Sequence, residues 1–299
     1  MAISFKNLKY WWAMIRGKSI YHVKQNEGKL YCFDSIKGYY NDLTKKVTND
    51  AEHKNSTEPF LLPGQKHLFP ISVFQYGLGA YDIYLETKDE LMLKKVVSHA
   101  NWAIENQNED GGWICFYNKD NKDAFSAMAQ GEGISLLLRA FQITNNIALL
   151  KAAEKAALFM LTSIENGGTS RVNDEDLFLY EFTNKPLVFN GWMFAIFGLM
   201  DLDIVCGHKA IKEALNKTIN SFTKILPHMD NGYWSMYRLD KTIASPFYHN
   251  LHIAQLSVLY KYTKNKIFLH YLEKFSEYQK NPFCKTRAFI KKAIQKIIS

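Results

Sequence analysis

The sequence predicts an all-α fold: an α/α toroid whose helical-hairpin repeats close into an incomplete barrel, with a small β-hairpin extension at the N-terminus. Three observations carry that expectation. Segments with similar openings recur at Gln75, Gln130, Asn190 and Asn250, at intervals of 55, 60 and 60 residues. Each opening runs into an apolar helical stretch, and a second periodic stretch follows a polar break. Three second stretches end near glycine, at Gly111-Gly112, Gly167-Gly168 and Gly232, where a left-handed turn stops a helix. Helical pairs at such a period form an array. An open solenoid uses the same parts. The ring is preferred because the repeats are few and their openings are polar and aromatic, which suits one shared cleft.

Residues 1–60 read as an extension and 61–299 as the toroid. In the extension, residues 21–24 and 30–33 flank Gln25-Asn26-Glu27-Gly28-Lys29 and read as a β-hairpin with a glycine turn. The polar stretch 44–59 reads as a loop. Apolar helices are expected at 80–85, 134–141, 194–202 and 253–260, with partners such as 93–106 and 147–164. The chain then reads as a basic amphipathic helix over 285–296, where lysines interleave with Phe289, Ile290 and Ile294. Docking on its own domain is the plainer role for this helix; association with a membrane surface is the other.

Composition narrows the partner. The net charge is +8 and 17 tyrosines contribute to an aromatic content of 14%. Positive charge favours an anionic partner, and aromatic faces suit sugar rings. No nucleic-acid-binding motif accompanies the charge, so no nucleic-acid partner is expected. The four cysteines are scattered without a CxxC pair, as reduced thiols would be. No apolar run of signal-peptide or membrane-spanning length is read in the chain, so a cytoplasmic location is expected. A homodimer is compatible with all of this.

The openings also carry a resemblance. Phe69 to Leu78, Asn101-Trp102 with Asn106 to Trp113, Phe125 to Gly131, Val188 to Gly191 with Gly198 to Leu202, and Phe247 to Leu256 resemble, in order, successive blocks of the heparosan glucuronyl 5-epimerase family. Matches in this order span about residues 69–275. The resemblance implies inversion of carbon 5 of D-glucuronate to L-iduronate within a heparosan-like acidic polysaccharide. It also implies that a β-domain carried by animal members, between the first two blocks, is missing here.

That chemistry removes a weakly acidic proton beside a carboxylate and returns one to the opposite face. It needs acid and base groups together with a cation for the carboxylate. By resemblance, Tyr237 and Tyr248 are the acid/base tyrosines. The third position falls on Tyr180 or on Glu181, depending on register. Arg238 or Lys241 is the candidate cation. Gln75, Tyr76, Gln130, Glu132 and Asn190 are candidate sugar contacts, with helix capping the alternative for Asn190. His249 and His252 share a helix face and are candidate substrate contacts. No third metal ligand accompanies them at a telling spacing, so neither metal nor cofactor is expected. A uronate lyase shares the first chemical step, and a non-catalytic glycan-binding toroid would keep the cleft alone.

Overall fold

The computed structural model describes residues 23–62, 64–117 and 123–298, and most of these are helical. A short helix α1 (Thr44–Thr48) precedes α2 (Pro70–Thr87) and α3 (Glu90–Glu105). Then come α4 (Ala127–Thr144), α5 (Ile147–Leu161), α6 (Phe189–Cys206) and α7 (Lys209–Ile225). The last are α8 (Pro246–Thr263), α9 (Lys266–Lys280) and α10 (Pro282–Ile298). Strands β1 (Ser170–Val172) and β2 (Leu177–Leu179) pair antiparallel, Ser170 opposite Leu179.

The helical hairpins share one linker grammar. In α2–α3, α4–α5, α6–α7 and α8–α9, two residues separate the helices. The first is left-handed in every case: Lys88, Asn145, Gly207 and Lys264, with φ between 54° and 60°. The second is the N-cap of the next helix, and Asp89, Asn146 and Asn265 each accept a backbone N–H with their side chain. The helices thus begin and end where local chemistry satisfies their terminal groups.

Burial sorts the helices into two layers. The first helices of the hairpins are buried on most sides; α6 is buried continuously from Phe189 to Leu202. The second helices bury one stripe, as α7 does with Ile211, Leu215, Ile219 and Phe222. The first helices pack in chain order, α2 on α4, α4 on α6 and α6 on α8. The α4–α6 crossing is the tightest, because Gly131 and Gly198 meet there. A Cβ on Gly198 would lie 2.5 Å from the Gly131 Cα, so a side chain at either position forces the helices apart.

Residues 27–43 seal the end of this inner layer nearest the helix C-termini. Tyr39 N–H donates to Asp82 on α2 (3.0 Å), and Arg139 on α4 donates to the Gly38 carbonyl (2.9 Å). Tyr40 Oη donates to Asp201 on α6 (2.9 Å), while Ser257 and Lys261 on α8 bond Glu27. Arg139 and Asp201 also form a buried ion pair at 2.5 Å. Removing either partner would strand a charge in the core.

Several expectations change. The hairpin over 21–33 does not form among the described residues; Tyr21 and His22 lie outside them. Gly28 N–H instead bonds the Tyr40 carbonyl (2.7 Å) and Asp42 N–H the Asn26 carbonyl (2.9 Å), so the partner strand is supplied from farther along. The stretch read as a loop contains α1. The repeat openings fall within the first two turns of the helices, with Asn190 second in α6, while Gln75 and Asn250 follow Pro70 and Pro246, which begin α2 and α8 at a position where proline costs no bond. Finally, Phe189–Cys206 is long and apolar enough to cross a membrane by composition, against the expectation of no such span. It is a core helix, with 78% of the segment buried.

Candidate active site

The open end of the inner layer, where α2, α4, α6 and α8 begin, holds a cleft of about 280 Å³. Their N-terminal turns contribute Ser72 and Gln75, Met128, Asn190, and Phe247 with Tyr248. Four helix N-termini around one cleft make it a favourable place for an anion.

Tyr237 and Tyr248 meet in this cleft, with ring centroids 4.6 Å apart at 46°. Tyr237 lies on the loop before α8. Its N–H bonds the Thr242 carbonyl (2.7 Å), and its carbonyl accepts from Phe189 N–H (3.0 Å), so the extended backbone turns alternate side chains to opposite sides. Tyr237 faces the cleft. Arg238 faces away and pairs with Asp240 at 2.7 Å and with Thr242. Tyr248 enters from the first turn of α8, whose N-cap Ser245 accepts the Tyr248 N–H.

The same alternation settles which neighbour of β2 enters. Tyr180 is pinned by two backbone bonds, to Thr169 and Ala127 (both 2.9 Å), and its ring lies against the Arg171 guanidinium at 5.3 Å, outside the cleft. Glu181, one residue on, points inward. Its Oε1 accepts from Tyr237 Oη at 3.5 Å, and its Oε2 is buried with no protein partner. Gly191 leaves the space it occupies, since a Cβ there would collide with the Glu181 carboxylate. Burial pushes the Glu181 carboxyl up to about 7, against the opposing pull of Tyr237, Arg238 and Lys185. Burial, and after it the Glu181 charge, also drives both phenols well above their ordinary range. The opposing pull of Arg238 on Tyr237 is the smaller effect, so both phenols keep their protons. Glu181 is therefore the group in the phenol cluster that titrates near neutrality.

The wall built from α1, α2 and α4 holds a group the sequence did not single out. Lys46, on α1, is buried and lines the cleft, and burial lowers its ammonium to about 8 while Glu132 pulls it upward. Among the described cleft-lining residues it is the titratable group of that wall; the others, Glu181, Tyr237 and Tyr248, belong to the α6–α8 side. Gln75 lines the cleft and donates to Glu132 Oε1 at 2.8 Å. Glu132 is buried behind it and is raised by that burial to about 8.

Of the remaining candidates, Asn190 lines the cleft, and its Oδ1 is buried without a protein partner. It does not cap α6, whose N-cap is Val188. Gln25 and Gln65 likewise aim unpaired buried carbonyl oxygens from the cleft lining. The cleft thus presents several acceptors, a pattern that suits a ligand rich in hydroxyl donors.

The other candidates lie elsewhere. Tyr76 points between α2 and α3, bonding Asp50 (3.2 Å) and Lys95 (3.0 Å) and stacking on His99. The Gln130 amide, oriented to satisfy its neighbours, donates to the Gly111 carbonyl and accepts from Trp113 N–H, both at 3.2 Å. It braces the Gly-Gly-Trp turn. Lys241 sits exposed at a left-handed turn with φ 67°. Arg238 is held by Asp240, so neither proposed cation lines the cleft.

His249 and His252 both bond Ser235 Oγ at 2.8 Å in the core. His249 accepts from Ser235 N–H at Nδ1, so its proton sits on Nε2 and is donated to the Phe275 carbonyl (2.9 Å). Trp234 and Phe189 stack on the two rings. Burial lowers His249 to about 4, keeping it neutral. The pair fastens the Tyr237 loop to α8 and is not part of the cleft lining. A separate convergence of ligand atoms, Glu154, Cys206 and His208 within 4.8 Å of one another, lies outside the cleft, where the three bond among themselves.

Glu132 makes a stability prediction. Its pKa in the folded protein lies above the unfolded value of 4.5, so the folded state holds the proton more tightly. Its contribution is fully present below about pH 4.5 and is lost as pH rises through about 8. Glu132→Gln is expected to melt near wild type at pH 5 and several degrees above it at pH 9, read by differential scanning calorimetry. Equal melting shifts at both pH values would refute it.

Comparisons with known proteins follow the same outline. A family model for the D-glucuronyl C5-epimerase C-terminus matches residues 107–277. The chain is 26% identical over 197 residues to the D-glucuronyl C5-epimerase of Caenorhabditis elegans, covering 56% of this chain and 32% of that protein. It is 25% identical over 209 residues to an uncharacterised protein of Methanocaldococcus jannaschii, covering 68% of this chain and 64% of that one. The chain thus spans less than two thirds of either relative. Glu181, Tyr237 and Tyr248 fall inside the matched family region and Lys46 falls outside it.

Proposed function

From the premise that this chain belongs to the family of the D-glucuronyl C5-epimerase C-terminus, we propose that it inverts carbon 5 of D-glucuronate to L-iduronate in a heparosan-like polysaccharide. In this reading the hairpins form an incomplete α/α toroid and the cleft at the helix N-termini is its catalytic centre. The observation that carries the reading is the convergence of Tyr248, Tyr237 and Glu181 in one cleft that Lys46 also lines.

The rings of Tyr237 and Tyr248 touch, so a sugar cannot lie between them; both address it from the same side. Tyr248 Oη takes the carbon-5 proton as its own proton passes to Tyr237 Oη, and the Tyr237 proton passes to the Glu181 carboxylate. The carbon–hydrogen electron pair moves into the uronate carboxylate, which becomes an enediolate. A carboxyl group poised near 7 suits the end of such a relay, because neither of its protonation states is costly at neutral pH. The Lys46 ammonium holds the substrate carboxylate, stabilises the growing charge and returns a proton to the opposite face. Solvent then deprotonates Glu181 and reprotonates Lys46.

Incubation with unsulfated heparosan in deuterated buffer tests this. Deuterium at carbon 5 without chain cleavage, with iduronate appearing, is the expected result. An unsaturated, ultraviolet-absorbing product would make the protein a lyase, and absence of exchange would make it a binding module.

A further inference from the structure

Helix α10 divides into two faces, and the sugar chemistry uses neither. The inner face docks on the domain: Cys284 and Ala288 pack against Trp234, Ile243 and Ala244. Lys292 donates to the Ile243 carbonyl (2.7 Å), and Gln295 bonds the backbone of Ile243 and Lys241. The outer face carries Phe283, Ile290 and Ile294 at i, i+7 and i+11 with Phe289 beside them, exposed by 86%, 53%, 45% and 60%. Lys285, Arg287 and Lys291 flank the stripe, and residues 282–298 include no acidic side chain.

Four large apolar side chains gathered on one helix mark a surface that something covers. We infer that α10 is an interfacial helix that docks the protein on an anionic lipid bilayer. Charge selects this occupant. A second copy pairing through the same face would set lysines and arginine against their own counterparts with no acid to neutralise them. An acidic polysaccharide would satisfy the cations but leave the phenylalanines and isoleucines in water. A bilayer of acidic phospholipid accepts both, the rings and isoleucines entering the headgroup boundary and the cations meeting phosphates. Because Lys292 lies over the Tyr237 ring at 5.8 Å, docking brings the loop bearing Tyr237 close to the membrane. The inference does not depend on which reaction the cleft performs.

Sedimentation of the full chain with vesicles tests it. The protein is expected to bind phosphatidylglycerol vesicles far better than phosphatidylcholine ones, with binding falling as salt rises. Phe283→Ser with Phe289→Ser is expected to weaken binding at least about tenfold, and Lys285→Glu with Lys291→Glu to remove the lipid selectivity, each without loss of helicity. No binding at low salt, or binding indifferent to both double variants, would overturn the inference. A wild-type dimer that light scattering shows dissociating in the Phe283→Ser, Phe289→Ser variant would assign the face to a second copy. Loss of polysaccharide binding in the lysine variant, without lipid binding in the wild type, would assign it to substrate.

Discussion

Tyr248→Phe is expected to lower carbon-5 exchange by about 10²–10⁴-fold while the protein stays folded. The substitution removes one oxygen and keeps the ring that packs against Tyr237 and Phe247. The loss falls on kcat because the hydroxyl acts on the proton in flight and contributes little to holding the polymer. Tyr237→Phe breaks the same relay one step later and is expected to cost a similar factor. The double variant should lose little more than either single variant, since a relay with one link missing does not pass a proton. Deuterium uptake measured beside circular dichroism checks this. Near-wild-type exchange in both single variants would remove the tyrosines from the chemistry.

Replacing Lys46 is expected to be as damaging, with a different signature. Lys46→Met takes away the charge facing the substrate carboxylate, so KM should rise and kcat fall, together by about 10²–10³-fold in kcat/KM. Lys46→Arg keeps the cation and should recover KM, but a guanidinium does not give up its proton near neutrality, so kcat should stay low. Wild-type activity should rise as Glu181 ionises near 7 and fall as Lys46 deprotonates near 8, giving a narrow bell. The alkaline limb should disappear in the arginine variant. A pH profile with an unaltered alkaline limb in Lys46→Arg would show that another group sets it.

Much of the fold could be read from residue order. Helix pairs announced themselves by period and by the glycines after the second helices. A further local signal lies in the two-residue links Lys88-Asp89, Asn145-Asn146, Gly207-His208 and Lys264-Asn265, each a left-handed residue followed by an N-cap. The hairpin over 21–33 was misread because pairing depends on which strand lies nearby, and the strand facing Gly28 comes from Tyr40. Histidine spacing was equally ambiguous. A pair three apart faces one way whether it meets a sugar or, as here, a buried serine.

Residue order alone was enough for the helical repeat and the positive net charge, because these rest on spacing and composition, which the chain carries locally; the tyrosines at 237 and 248 were singled out by the resemblance to the family blocks. The three-dimensional fold decided the rest. It turned Glu181 inward and Tyr180 outward, set Tyr237 in the cleft and Arg238 against Asp240, and brought Lys46 from a distant segment into the cleft that the phenols line. In an extended backbone a shift of one residue reverses the side a group faces, and burial, which sets its charge, depends on neighbours far away in the chain.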